Sequence, residues 1–107
     1  MTDAYVAVAS VDDLWDGEMD SVEVDGEEVL LLRLAGQYHA YQGNCPHQGA
    51  ALADGDLDGA TLTCRLHEWV FDARTGAGIN PRVSRLTRYP VRIVAGTVQV
   101  GRCPVRT

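Results

Sequence analysis

The chain contains no lysine, and no part of its 107 residues forms a hydrophobic run long enough to cross a membrane. The longest aliphatic stretch, Val29-Leu30-Leu31-Leu32, ends at Arg33, far short of the ~18–20 apolar residues of a spanning helix. The start, Met1-Thr2-Asp3, lacks the basic and then apolar segment of a secretory signal. Neither end carries a lipidation motif, so a cytoplasmic protein is expected. Cysteine is scarce and odd in number, with three residues. That argues against a disulfide framework, and Cys lying close to His points to metal instead. Nucleic acid is a poor partner, because a net charge of −6 repels phosphate and the arginines are sparse, with no aromatic stacking motif beside them.

What is present is the composition of one small globular domain, 46% hydrophobic and 22% charged, with 11 Gly marking frequent turns. A chain of this size buries only roughly 60–70% of its unfolded surface. A site that clamps separate loops together therefore matters to stability as well as to function. Charge is segregated along the chain: the first 32 residues hold ten acidic side chains and no basic one, whereas Arg82 to Arg106 hold six Arg and no acid. An ordinary solvated surface accounts for such runs, and so does a polar molecule that orients itself before docking on a charged partner.

Short β-type segments separated by turn residues dominate. Tyr5 to Ala9 reads as an edge strand. Ser10 reads as the N-cap of one or two helical turns through Val11-Asp12-Asp13-Leu14-Trp15, which Gly17 ends. Met19 to Val24 and Glu28 to Leu34 read as strands joined by the hairpin signal Asp25-Gly26, and Ala35-Gly36 turns the chain into a third, Gln37 to Gln42. Gly43 to Gly59 is turn-rich. Ala60 to Cys64 and Trp69 to Phe71 are short strands, and Asp72 to Pro81 is again turn chemistry. Tyr89 to Val94 and Thr97 to Val100 close the chain around Ala95-Gly96. This spacing predicts an all-β fold, a small antiparallel sandwich or barrel.

Cys45-x-His47 and Cys64-x-x-His67 are separated by 16 residues, and each pair lies in turn chemistry beside a predicted strand. Two hairpin loops can thus present four soft or borderline ligands to one point. Such donors suit zinc or iron–sulfur and exclude calcium and magnesium, which require oxygen. A Cys2His2 zinc site normally pairs Cys with Cys in a knuckle before its His pair. Here each half contributes one of each. That order suits a dinuclear cluster in which two Cys hold one iron and two His the other.

Cys45-Pro46-His47-Gln48-Gly49-Ala50-Ala51-Leu52 resembles the first Rieske box, and Cys64-Arg65-Leu66-His67 with Phe71, Thr75 and Gly76 resembles the second. The resemblance implies a Rieske ferredoxin fold over 1–107, with a cluster-binding portion of about 43–82 inserted in a basal β domain. It also implies one 2Fe–2S cluster per chain, bound by Cys45, His47, Cys64 and His67, and no catalytic residue. His67-Glu68-Trp69-Val70-Phe71, Thr75-Gly76-Ala77-Gly78-Ile79-Asn80-Pro81 and the early Val11-Asp12-Asp13-Leu14-Trp15-Asp16-Gly17-Glu18-Met19 are similar to ferredoxin components of multicomponent diiron monooxygenases. That narrower resemblance implies an electron shuttle from an NADH-dependent flavin reductase to a diiron hydroxylase acting on aromatics or alkenes, and a monomer suits a shuttle that alternates between partners. A ferredoxin of an aromatic-ring dioxygenase shares the same cluster, and a zinc-stapled interaction module is the alternative of another class.

Around the boxes the roles are plainer. Pro46 stiffens its loop, and Gly49 and Gly76 serve as turn or close-packing glycines. Pro81 ends a third loop that, by resemblance, shields the cluster. Trp69 packs in the core or covers the cluster. Glu68, Asp54, Asp56 and Asp58 are exposed turn carboxylates or the rim of a docking face. Cys103 is left over, and His39 is structural or exposed. Where high-potential Rieske proteins place a disulfide pair, this chain has Ala50 and Leu66. A redox titration is therefore expected to give a midpoint near the bottom of the Rieske range of about −150 to +300 mV. With an imidazole on iron and its other nitrogen toward solvent, as the family implies, the midpoint falls at alkaline pH.

Overall fold

A computed structural model describes residues 4–44, 51–65, 69–80, 82 and 84–105. The strands are β1 (Tyr5–Ser10), β2 (Met19–Val24), β3 (Glu27–Leu34), β4 (Gln37–Gln42), β5 (Asp56–Asp58), β6 (Thr61–Thr63), β7 (Val70–Asp72), β8 (Gly78–Asn80), β9 (Arg88–Tyr89), β10 (Val91–Val94) and β11 (Thr97–Gly101), with a 3-10 turn at Leu52–Asp54. They form three antiparallel sheets, in the orders β1-β11-β10, β2-β3-β4-β9 and β5-β6-β7-β8. No helix among the described residues is long and apolar enough to cross a membrane.

The run Val29 to Leu32 explains how the sheets stack. All four side chains are buried. Successive side chains of a strand point to opposite faces, so β3 supplies apolar surface on both sides. Val29 and Leu31 join Val24, Ala40, Val98 and Val100 in a core shared with the β1-β11-β10 sheet. Leu30 and Leu32 join Tyr41, Leu52, Leu62, Cys64, Phe71 and Leu86 in a second core shared with the β5–β8 sheet. The central sheet is a partition wall with a core on each side.

The predicted meander of β2, β3 and β4 is present, with Asp25-Gly26 and Ala35-Gly36 as its turns in left-handed backbone conformation. β1 is an edge strand as expected. Three features differ from the sequence reading. The segment after Ser10 is a turn without helix. The Ser10 amide donates to the Asp13 carboxylate at 2.8 Å, and the Asp13 amide returns to the Ser10 carbonyl at 3.0 Å. Carbonyls that a helix would use are taken instead by the meander: the Tyr38 hydroxyl and the Arg33 guanidinium donate to Val11 and Leu14 respectively, each at 2.8 Å.

The predicted strand Tyr89 to Val94 is two strands in two different sheets, β9 and β10. Pro90 marks the break, since it has no N–H to continue a ladder. Finally, β5 and β8 arise inside stretches that read as loop, because three-residue strands rich in Asp, Gly and Asn carry almost no β signal of their own.

Leu31→Ala and Leu30→Ala are each expected to lower unfolding free energy by about 2–5 kcal/mol in denaturant titrations, one from each core. A loss under 1 kcal/mol at either position would contradict burial on both faces of β3.

Candidate metal centre

Each loop expected to carry ligands hangs from a hydrogen-bonded base. For the first, the Leu52 amide donates to the Gly43 carbonyl at 2.8 Å, and Asn44 bridges Ala51. Cys45 and His47 lie between these closures, outside the described residues, as do Pro46 and Gly49. The base is tied to the wall: the Gly43 amide donates to the Glu28 carbonyl at 3.0 Å. A Cβ on Gly43 would sit 2.5 Å from that oxygen, so only glycine allows the approach. Gln42 adds a side-chain stitch, its Nε2 donating to the Asn44 carbonyl while its Oε1 accepts from the Thr87 amide, both at 2.8 Å.

The second loop joins β6 to β7. The Cys64 amide donates to the Trp69 carbonyl at 2.7 Å, closing the hairpin on the first expected ligand. Cys64 is 1% exposed and belongs to the core that includes Leu62 and Phe71. His67 and Glu68 lie outside the described residues, as does Pro81 of the expected third loop. Of the four expected ligands the structure thus places Cys64 alone. Among the described residues no three His, Cys, Asp or Glu side chains converge on a point. A sulfur donor buried in an apolar layer, on a hairpin whose neighbour loop is closed at Gly43 and Leu52, fits a cluster whose thiolate side is shielded from water.

Tyr41 braces this layer. Its hydroxyl donates to the Ala73 carbonyl at 2.7 Å, and its ring lies where a Cβ on Gly76 would stand 2.9 Å from Cε1. Gly76, at φ 81, is therefore both a turn and a packing glycine. Asp72 shapes the same turn. Its carboxylate accepts from the Arg74 amide at 2.9 Å, and Arg74 lies beside it. Although burial acts the other way, these contacts leave the Asp72 pKa below its ordinary value. Burial pushes the Tyr41 phenol up to about 12. His39, half-buried, runs its ring parallel to that of Tyr41 at 6.4 Å, with its pKa lowered by burial and then by Arg88. This is the structural His of the sequence reading.

Trp69 is half-buried and packs against the same core, which includes Cys64. Asp54, Asp56 and Asp58 are exposed, with Leu57 between them turned toward the core. Cys103 is exposed beyond β11. The sequence reading missed Tyr41 and Gln42. Nothing in a tyrosine or glutamine on a strand indicates that it braces a loop more than thirty residues away.

The model of the Rieske [2Fe-2S] domain family matches residues 4–90. The chain belongs to the Rieske [2Fe-2S] domain family, and its cofactor is a Rieske 2Fe–2S cluster. It is 46% identical over 94% of its length to the ferredoxin component of the alkene monooxygenase system of Xanthobacter autotrophicus, covering 84% of that protein. It is 34% identical over 87% of its length to the ferredoxin component of the naphthalene 1,2-dioxygenase/salicylate 5-hydroxylase systems of a Ralstonia species, covering 90% of it. Among solved structures, the ferredoxin of carbazole 1,9a-dioxygenase from Nocardioides aromaticivorans superposes with TM-score 0.85 at 31% identity, over 92% of this chain and 98% of that one. A chain from the complex of reduced oxygenase and oxidized ferredoxin in carbazole 1,9a-dioxygenase gives TM-score 0.91 at 25% identity, over 99% of this chain and 100% of that one.

Tyr41→Phe removes the partner of a buried carbonyl and is expected to cost about 1–3 kcal/mol in denaturant titrations at neutral pH. In the unfolded chain Tyr41 ionises near 10.0, in the folded chain near 12, so the folded state holds its proton longer and stability falls as pH rises across that window. Denaturation series at pH 9, 10 and 11 should show a shallower decline for Tyr41→Phe than for the parent. Some decline persists, because burial also raises Tyr89. Parallel declines would place the alkaline sensitivity elsewhere.

Proposed function

We propose that this protein is an electron-transfer ferredoxin carrying single electrons from an NADH-dependent flavin reductase to the diiron hydroxylase of a hydrocarbon monooxygenase. Cys45, His47, Cys64 and His67 hold its cluster, one per chain. The chain works as a single domain, a monomer in the cytoplasm. The observation that carries the reading is the pair of loops closed at Gly43–Leu52 and Cys64–Trp69, with the Cys64 sulfur sunk in the apolar layer. When bound, a Rieske cluster takes up and gives back one electron at a potential set by its mixed Cys and His ligation.

The chain's own residues divide the remaining work. Cys64, buried at the hairpin base, anchors the sulfur side and keeps water from it. Cys45 supplies the matching thiolate, while His47 and His67 supply neutral nitrogen donors. Gln42 holds the base of the first loop, and Tyr41 with Gly76 holds the turn after β7, which keeps the layer beneath the cluster in register. No catalytic group is assigned here. The hydrocarbon is oxidised on the oxygenase.

Likeness to the alkene monooxygenase ferredoxin component supports a monooxygenase partner. The second reading, a ferredoxin for a ring-hydroxylating dioxygenase, draws on the naphthalene and carbazole relatives. Reconstitution separates the two. NADH-driven product formation with a reductase and a diiron alkene or aromatic hydroxylase should depend on this protein. Coupling to a ring dioxygenase alone would overturn the first reading in favour of the second. The reduced protein should show a rhombic electron paramagnetic resonance signal, which Cys64→Ser and Cys45→Ser each abolish along with bound iron. A colourless, silent protein containing zinc would sink both readings.

A further inference from the structure

The turn between β1 and β2 holds a tryptophan out into solvent. Trp15 is 76% exposed, while its neighbour Leu14 is buried. Isolated exposed apolar residues are commonplace, but this one stands on a turn held by several hydrogen bonds. The Arg33 guanidinium donates to the Leu14 carbonyl at 2.8 Å and pairs through Nε with Asp16 at 3.0 Å. Asp16 also accepts from the Gly36 amide at 2.9 Å, and the Gly17 amide donates to the Arg33 carbonyl at 2.7 Å. Trp15 is itself bracketed by Glu18, whose carboxylate accepts from the Trp15 amide at 2.7 Å and whose amide donates to the Trp15 carbonyl at 3.0 Å. The backbone that carries the indole is ordered before any partner arrives, which removes part of the entropic cost of binding.

The surroundings of the indole define what it fits. Asp12, Asp13, Asp16, Glu18 and Asp20 are all exposed, and Arg33 is the cation pinned among them. An aromatic projection in an acidic rim complements an apolar recess rimmed by Arg or Lys. The position matters too. Arg33 lies at the β3–β4 turn, whereas the first ligand loop hangs from Glu28 at the other end of β3. Five residue steps separate these points, roughly 17 Å along β3.

We infer that Trp15 and its acidic rim form a second docking anchor, distinct from the cluster loops, for a basic-rimmed apolar recess on the oxygenase component. A shuttle that offers the same cluster to donor and acceptor needs a contact elsewhere to tell them apart. The oxygenase is the occupant, since a chain of the same fold over its full length comes from an oxygenase–ferredoxin complex. This inference rests on the electron-carrier reading.

The test uses the cluster-loaded protein with purified oxygenase and reductase, titrating carrier concentration in NADH-driven turnover and in reductase-only assays with an artificial acceptor. Trp15→Ala should raise the half-saturating concentration for the oxygenase roughly tenfold or more. It should leave the reductase half-saturation, the midpoint potential and the paramagnetic resonance signal unchanged. Asp12→Lys should weaken oxygenase binding and flatten its salt dependence. An oxygenase half-saturation within twofold of the parent for Trp15→Ala, or a shift seen with the reductase alone, would overturn the anchor. So would a dimer of the parent that Trp15→Ala dissolves, because the recess would then belong to a second copy. If the parent couples to no oxygenase, the carrier reading has failed, not the anchor alone.

Discussion

Burial of β3 on both faces is the constraint from which the rest of the structure follows. Four consecutive aliphatic residues cannot alternate with polar ones, so neither face of the central sheet can be left to water. One face takes the β1-β11-β10 sheet, and the other takes the layer that carries the ligand loops. For a chain of this size the two cores share their cost through one strand, which removes the need for a second wall. The loops closed at Gly43–Leu52 and Cys64–Trp69 are thereby seated beside the strand with the longest buried run among the described residues.

Precision at the centre comes from a few directional contacts laid over that apolar seat. Gly43 lets the first loop leave β4 flush against Glu28. Tyr41 reaches across the core to Ala73, and Gln42 ties Asn44 to Thr87. These three residues are consecutive, so one short piece of β4 and its exit reach the base of the first loop, the turn between β7 and β8 and the segment before β9. Apolar packing determines that the layers meet; the hydrogen bonds determine the register in which they do so.

Much of this was legible in the sequence, for identifiable reasons. The meander could be read because its turns, Asp25-Gly26 and Ala35-Gly36, use residues that tolerate left-handed backbone and its strands are rich in aliphatics. The pairs Cys45-x-His47 and Cys64-x-x-His67 are a reading from spacing and residue type alone, and of these four the described residues include only Cys64. The segment Val11 to Trp15 reads as helix because Ser10 and Asp13 do make cap-like contacts, the Ser10 hydroxyl accepting from the Asp12 amide and the Asp13 carboxylate from the Ser10 amide. What replaced the helix was Arg33 and Tyr38 arriving from far along the chain, and no local pattern announces that. Strands β5 and β8 were hidden for the same reason, since they exist only through pairing with β6 and β7.

The two-sided strand also bears on how such a protein can be rebuilt. An electron-carrying module is attractive to graft, and the segment from Gly43 onward looks separable because it is contiguous in the chain. Its underside, however, is completed by Leu30, Leu32 and Tyr41, which stay behind in the donor. A host scaffold would have to offer a matching apolar row, with a small gap for Gly76 and a phenol aimed at Ala73. The portable unit is the loop layer together with the wall, and a transplant cut at the loop boundary would carry its ligands without their foundation.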